Sequence, residues 1–353
     1  MSAEEIENAT PRTKPVEKCP ICDGKSTKVF FSSPDRLHGV PGTFTYHVCN
    51  DCGTVFQNPM VIQEDLSLCY PAEYAPYNLK REIPDIDLDA LPNGNFRSSL
   101  RKAIVDDVKG RPTSGFAGAI GRLLAKNASL RERAFYGLVI DECLPKGAGE
   151  HFALDLGCGA GWLMEKLKKV GWETEGLEWN EGAAQIARET TGCNVWAGDF
   201  RTVDLPKSKY QLVVLNHVFE HINDPKGALL RVRELLADDG KALLFYPNPH
   251  SHGAGRYATN WFPWEVPRHL IFPTPKALKL LAKETGFSSV DVVTRAAYSE
   301  VHWSWSKAYE SGGNPENDSP ELGLGEKLGV LSEKLLTKMG LDKGWEIIAV
   351  LDK

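Results

Sequence analysis

The chain is 353 residues long, enough to bury a sizeable core and to hold more than one compact unit. Its 42% hydrophobic and 25% charged residues are the proportions of an ordinary soluble globular protein. A formal net charge of −6 excludes a general electrostatic pull toward nucleic acid or an anionic membrane.

Met1–Lys14 is polar and acidic, so neither a secretory signal nor an Arg-rich transit peptide is read there. No apolar run reaches the roughly 18 residues of a transmembrane segment, and a cytoplasmic enzyme is the expectation. Residues 1–15 show no periodicity and read as a disordered tail. Residues 16–60 read as a small metal-stabilised β unit, with strands at Lys28–Ser32, Thr43–Val48 and Thr54–Gln57. This stretch holds two C-x-x-C pairs, Cys19-Pro-Ile-Cys22 and Cys49-Asn-Asp-Cys52. Four thiolates would close a tetrahedral zinc site with no open position for water, which makes the metal structural. The 26 residues between the pairs suit a zinc ribbon, and Gly53 relieves the turn after the second pair. A redox dithiol pair is the competing reading. Cys69, Cys143, Cys158 and Cys193 are scattered and read as buried thiols.

Residues 61–143 read as a connector and helical segment. The first part is rich in Pro, Asp and Asn and carries Tyr70, Tyr74 and Tyr77; helices are expected at Arg97–Val108 and Phe116–Leu144. Residues 144–353 alternate strand and helix, the signature of a parallel α/β sheet. Strands are expected at Phe152–Leu156, Thr174–Leu177, Asn194–Trp196, Gln211–Leu215 and Ala242–Tyr246. Asp224-Pro225 and Thr274-Pro275 each place a capping side chain before a proline at the first helical position. After a strand at Val290–Thr294, an insertion spans about 296–343, a length that points to a lid or an interface. Within it, Leu324, Leu328, Leu331 and Leu335 are read as core-facing, with a homodimer contact or a membrane surface as alternatives. Trp345–Leu351 is the last strand.

Leu154–Gly161 reads L-D-L-G-C-G-A-G, and a helical stretch, Trp162–Val170, follows. Glycines at a strand–turn–helix junction let a ligand approach the backbone where no Cβ blocks it. The spacing G-x-G-x-G differs from the G-x-G-x-x-G of pyrophosphate-binding sites. With Asp155 it makes D-x-G-x-G-x-G, which resembles the first motif of class I S-adenosylmethionine (SAM) methyltransferases. The competing reading is a tight turn with close helix–strand packing and no ligand.

That resemblance implies a Rossmann-like seven-stranded sheet in the order 3-2-1-4-5-7-6, the last strand antiparallel; periodicity alone gives only a doubly wound α/β fold. Cofactor residues are expected at Asp155, Gly157, Cys158, Gly159 and Gly161 after the first strand. Glu178, 21 positions after Gly157, is placed to accept both ribose hydroxyls, with Trp179 beside it. The resemblance implies that Asp199 takes the adenine amino group, that Phe200 packs on the ring, and that Asn216 and His217 meet the methionine portion.

Phe219–Pro225 contains E-H-I-x-D-P, similar to ubiquinone-biosynthesis-type methyltransferases and their sugar-modifying relatives. The resemblance makes His221, with Glu220, a candidate base; the alternative is that the pair only orients the next helix. Trp261–Phe272 reads W-F-P-W-E-V-P-R-H-L-I-F. Trp261, Trp264 and Arg268 are expected as acceptor walls and His269 as a second base, against a packing loop whose arginine meets a local acid. Asn248, His250, His252 and Arg256 could line the same cleft or lie in a solvated loop. The run C-P-I-C … Y-H-V-C-N-D-C-G-T-V-F-Q-N-P resembles the amino-terminal zinc module of sugar- and polysaccharide-pathway methyltransferases, including deoxysugar C-methyltransferases. The chain departs from the latter at Val218, where they carry tyrosine, and in their extra carboxy-terminal α/β domain.

Together these readings give SAM-dependent methylation of a small acceptor, a sugar or sugar nucleotide, at oxygen. C-methylation of a nucleotide-linked deoxy keto sugar is the alternative, and nucleic-acid methylation a more distant one.

Overall fold

The first described strand, Thr13–Lys14 (β1), lies in the stretch expected to be a disordered tail. It pairs antiparallel with Met60–Val61 (β5), and Arg12 donates to Asp65 through both its backbone and its guanidinium. Between them Thr27–Ser33 (β2), Phe44–Cys49 (β3) and Val55–Gln57 (β4) build an antiparallel sheet. In this computed structural model residues 9–70, 74, 86–88, 91 and 95–353 are described, and Tyr77 lies outside them.

Helices follow at Phe96–Val108, Gly115–Leu124 and Ala128–Ala134, so the expected single helix from Phe116 to Leu144 is broken. Asn127 starts a new helix by accepting from the Leu130 amide, and Tyr136 and Gly137 turn the chain with positive φ. Then come Phe152–Leu156 (β6), Glu173–Glu178 (β7), Val195–Ala197 (β8), Tyr210–Asn216 (β9) and Leu236–Pro247 (β10). Ile271–Phe272 (β11), Ser289–Arg295 (β12) and Glu346–Asp352 (β13) complete the strands. The seven-stranded sheet runs β12-β13-β10-β9-β6-β7-β8, which is the class I methyltransferase order. Strand β6 is parallel to β7 and β9, β7 is parallel to β8, and β12 and β13 are antiparallel.

By contact density the chain forms two compact units. One comprises Ala75–Val214 and Glu234–Lys241. Its core includes Cys158, Met164, Ala184, Ala187 and Val195. The other comprises Met1–Tyr74, Leu215–Arg233 and Ala242–Lys353. There β11 extends the amino-terminal sheet by pairing with β4, giving the order β11-β4-β3-β2. Both expected caps are present: Asp224 accepts from the Gly227 amide and Thr274 from the Ala277 amide.

The insertion holds two helices, Ser299–Glu310 and Leu324–Lys338. Leu324, Leu328, Leu331 and Leu335 point to solvent, contrary to the core expectation. The inward face belongs to Val330, Gly329 and the fully buried Glu333. Glu333 accepts from Ser299 Oγ, Trp303 Nε1 and the Gly253 amide, so the buried carboxylate is fully hydrogen-bonded. A Cβ on Gly329 would lie 2.2 Å from the Trp303 ring, so glycine is what admits the indole. Among the described residues no helix is long and apolar enough to cross a membrane.

Candidate active site

The glycine loop follows β6. Gly157, Gly159 and Gly161 all adopt positive φ, a conformation that costs a side-chain-bearing residue roughly 1–2 kcal/mol. The Gly157 and Cys158 amides donate to the Leu177 carbonyl and the Gly159 amide donates to Glu178 Oε2. Glu178 Oε1 accepts from the Asn180 amide. The carboxylate is buried, and its pKa is raised because desolvation outweighs those amide bonds. Asp155, one residue before the loop's neighbour Leu156, is pushed up to about 7, first by burial and then by the Glu178 charge. Gly161 also serves packing: a Cβ there would lie 2.7 Å from Thr191 Cγ2. Turn and close packing therefore coexist in the same glycine.

In the same unit Asp199 ends the loop after β8, where Arg201 Nε donates to it at 2.9 and 3.1 Å. Hydrogen bonding to Arg201 lowers its pKa, so it is an ionised acceptor. Trp179 is substantially exposed and Phe200 half-buried. An open backbone turn followed by an acid at each of the next two strand ends fits a nucleoside with a ribose and an exocyclic amine.

In the other unit the end of β9 leads into a cluster of histidines and acids. His217 has a φ of 55° and is held by two carboxylates, Nδ1 at 3.3 Å from Glu220 and Nε2 at 3.0 Å from Glu346. Its ring stacks on Trp345 at an interplanar angle of 2°. Burial opposes the charged ring, but Glu220 and Glu346 overcome it and push the pKa up to about 10. Glu220 is fully buried, and its Oε2 has no hydrogen-bond partner among the described residues.

His221 sits in the short turn Phe219–His221, which does not cap the next helix; Asp224 does. Its Nδ1 lies 3.0 Å from the Arg268 carbonyl and 2.8 Å from the Tyr70 hydroxyl. A carbonyl can only accept, so this hydrogen bond assigns the proton to Nδ1 and makes Nε2 the lone-pair nitrogen of the neutral ring. Burial, then the nearby His269, pushes the His221 pKa down to about 4, which keeps the ring neutral. His269 packs edge-on against it at 4.6 Å. Its Nδ1 faces the Pro263 carbonyl at 2.8 Å and its Nε2 faces Glu265 at 2.9 Å. Both His269 nitrogens are therefore engaged by neighbouring protein groups, Pro263 and Glu265.

The expected acceptor wall is core. Trp261, Trp264 and Arg268 are buried, and Trp264 packs edge-on against Phe272 and Phe30. Arg268 pairs with the local acid Glu265 at 3.8 Å, as the packing-loop reading expected, and more closely with the distant Asp35, at 2.8 and 3.0 Å. Asn248 is also structural, donating to Gly344 and accepting from His250, while Arg256 pairs with Glu310.

The cysteines Cys19, Cys22, Cys49 and Cys52 bring their sulfurs within 4.8 Å of one another. Two Sγ–Sγ distances are 3.6 Å, near the tetrahedral edge of about 3.8 Å that zinc–sulfur bonds of about 2.3 Å require. The donor set is compatible with zinc. Gly24 packs tightly here, since a Cβ would meet Asp51 Oδ2 at 2.3 Å.

Residues 129–292 match the methyltransferase domain family. The ubiquinone biosynthesis O-methyltransferase of Ruegeria sp. (strain TM1040) is 27% identical over 231 residues, 61% of this chain and 83% of that protein. The same-named protein of Ruegeria pomeroyi is 29% identical over 164 residues, 43% of this chain and 66% of that protein. Residues 129–292 thus form a methyltransferase domain, and the chain is similar to SAM-dependent methyltransferases. A solved SAM-dependent methyltransferase from Archaeoglobus fulgidus is 17% identical, with a TM-score of 0.42, over 68% of this chain and all of that one.

Several residues of this methyltransferase's cluster escaped the sequence reading. Glu346 and Asp35 carry no motif and come from remote segments, while Glu265 lies within the Trp261–Phe272 run but was given no role there. Tyr70 was visible as one of three spaced tyrosines, but nothing local tied it to His221, 151 residues away.

Proposed function

We propose that this methyltransferase moves a methyl group to a hydroxyl oxygen of a small ring-shaped acceptor, a sugar or sugar nucleotide, with His221 as general base. SAM supplies an activated methyl group on a sulfonium sulfur. The cofactor would be held by the turn at Gly157, Gly159 and Gly161, with Glu178 on the ribose hydroxyls and Asp199 on the adenine amine. Asp155, Cys158, Trp179 and Phe200 complete the proposed cofactor residues of that unit, and Asn216 and His217 are proposed for the methionine portion.

One observation carries the base assignment: the Arg268 carbonyl fixes the proton on His221 Nδ1 and leaves Nε2 as a neutral acceptor. His221 Nε2 would take the acceptor O–H proton, while bound SAM would supply the methyl group to that oxygen and leave as the neutral thioether. Glu220, buried beside His221 with one oxygen unpartnered, stabilises the imidazolium that results. Positioning does the rest, because the methyl donor is already activated. The O-methyltransferase names of the relatives favour oxygen over carbon. The zinc-module resemblance favours a sugar, and the four cysteines would hold zinc as a structural ion.

The test is mass spectrometry of acceptor panels incubated with enzyme and SAM. A gain of one methyl on a sugar or sugar nucleotide, lost in His221→Ala while SAM still binds by calorimetry, supports the proposal. Methylation of catechols alone would remove the sugar, and solvent deuterium entering a keto sugar at carbon without SAM would favour the C-methylation alternative.

A further inference from the structure

The insertion helix Leu324–Lys338 carries a run of exposed apolar side chains. Leu324, Leu328, Leu331, Leu335 and Met339 are 76%, 58%, 61%, 57% and 67% exposed. At 3.6 residues per turn these five fall within an arc of about 80°, a continuous stripe along a helix about 22 Å long. Leu341, just beyond, is exposed as well. A stripe of this kind calls for a covering partner.

Charge chooses the partner. Lys327, Lys334 and Lys338 are exposed and fall in an adjacent arc of about 40° along one flank of the stripe. The helix's two acids are withdrawn: Glu333 is fully buried, and Glu326 is mostly covered, 3.8 Å from Lys307. Lys334 is paired with Glu300, which leaves Lys327 and Lys338 to define the outward charge. A second copy packed antiparallel on the stripe would set lysine flank against lysine flank. An anionic bilayer surface satisfies both features, since leucines enter the acyl boundary while lysines meet the headgroups.

The helix is also held rigidly in that orientation. Glu333 ties it to Ser299, Trp303 and Gly253 from the opposite face, and Gly329 seats it on Trp303. The stripe is thus presented without a partner being needed to fold it.

We infer that Leu324–Lys338 lies on anionic lipid surfaces and docks the enzyme reversibly on a membrane. The net negative charge of the whole chain does not prevent this, because charges more than about 10 Å away are screened at physiological salt.

The experiment is flotation of the full-length protein with vesicles of phosphatidylglycerol and phosphatidylcholine in equal parts, and with phosphatidylcholine alone. Binding is expected to the anionic vesicles, falling with added salt. It should be lost in Leu328→Asp/Leu331→Asp and fall roughly tenfold in Lys327→Glu/Lys338→Glu. Circular dichroism melts should leave both variants folded, because these side chains are exposed. Failure of the wild type to float with anionic vesicles overturns the inference. So does a dimer in sedimentation velocity that the leucine substitutions dissociate, since a second copy would then cover the stripe.

Discussion

Arg268 and Asp35 stand 233 residues apart and form a bidentate ion pair with no part of either side chain exposed. Arg268 also donates to the Cys69 and Val266 carbonyls, and Asp35 accepts from the Leu37, His38 and Val40 amides. The pair fastens the amino-terminal four-cysteine module to the loop whose carbonyl orients His221. Removing one partner strands a buried charge, and Asp35→Ala should cost about 3–5 kcal/mol. Arg268→Met/Asp35→Leu should cost less than either single change. Urea denaturation of the three variants measures this, and an additive double variant would contradict the coupling.

His221→Ala is expected to lower kcat by about 10²–10⁴-fold with little change in SAM affinity. Tyr70→Phe removes the hydroxyl hydrogen-bonded to Nδ1 and should cost far less. His269→Ala should act through stability, because its ring nitrogens serve Pro263 and Glu265. Steady-state kinetics beside thermal melts separates the three cases.

The pH–rate profile follows from the His221 pKa near 4, well below the ordinary value of about 6.5. The base form persists as pH falls, so the acid limb of kcat/KM should lie near 4. A limb near 6.5 would show that the free enzyme's base is another group, or that His221 is solvated.

His217 gives the opposite sign in stability. Its folded pKa of about 10 lies above the unfolded value of about 6.5, so its contribution is complete below the latter. That contribution is lost as pH rises through 10. Thermal midpoints should therefore fall over this window in the wild type, and His217→Asn should flatten that part of the decline.

Removing the metal should reach the loop through named bonds. Thr274 Oγ1 donates to the Cys52 carbonyl, and the Tyr46 hydroxyl donates to the His269 carbonyl. Cys52→Ser should release the ion to a colorimetric chelator and lower the thermal midpoint. Wild-type protein should yield one zinc per chain, and a metal-free wild type with unchanged melting would refute a structural ion.

Local rules made much of the fold legible. Alternating apolar runs located β6 and β9 to within a residue or two, and proline after Asp224 or Thr274 marked two helix starts. The glycine motif identified the turn because positive φ is a backbone demand that only nearby residues settle. The methyltransferase order of the sheet came from resemblance, since periodicity does not rank strands.

Position along the chain determined which residues could do chemistry, and tertiary packing decided which of them are free to. Arg268, Trp261 and Trp264 read as a ligand wall, yet a buried acid and a ring cluster from the amino-terminal sheet claim them. His221 and His269 look alike in sequence, but their hydrogen-bond partners differ: both nitrogens of His269 are engaged, by Pro263 and Glu265. The leucines of Leu324–Lys338 face outward because Glu333 finds three donors inside. A side chain's competing partners lie far off in the chain, so their claim on it is settled only when the chain is folded.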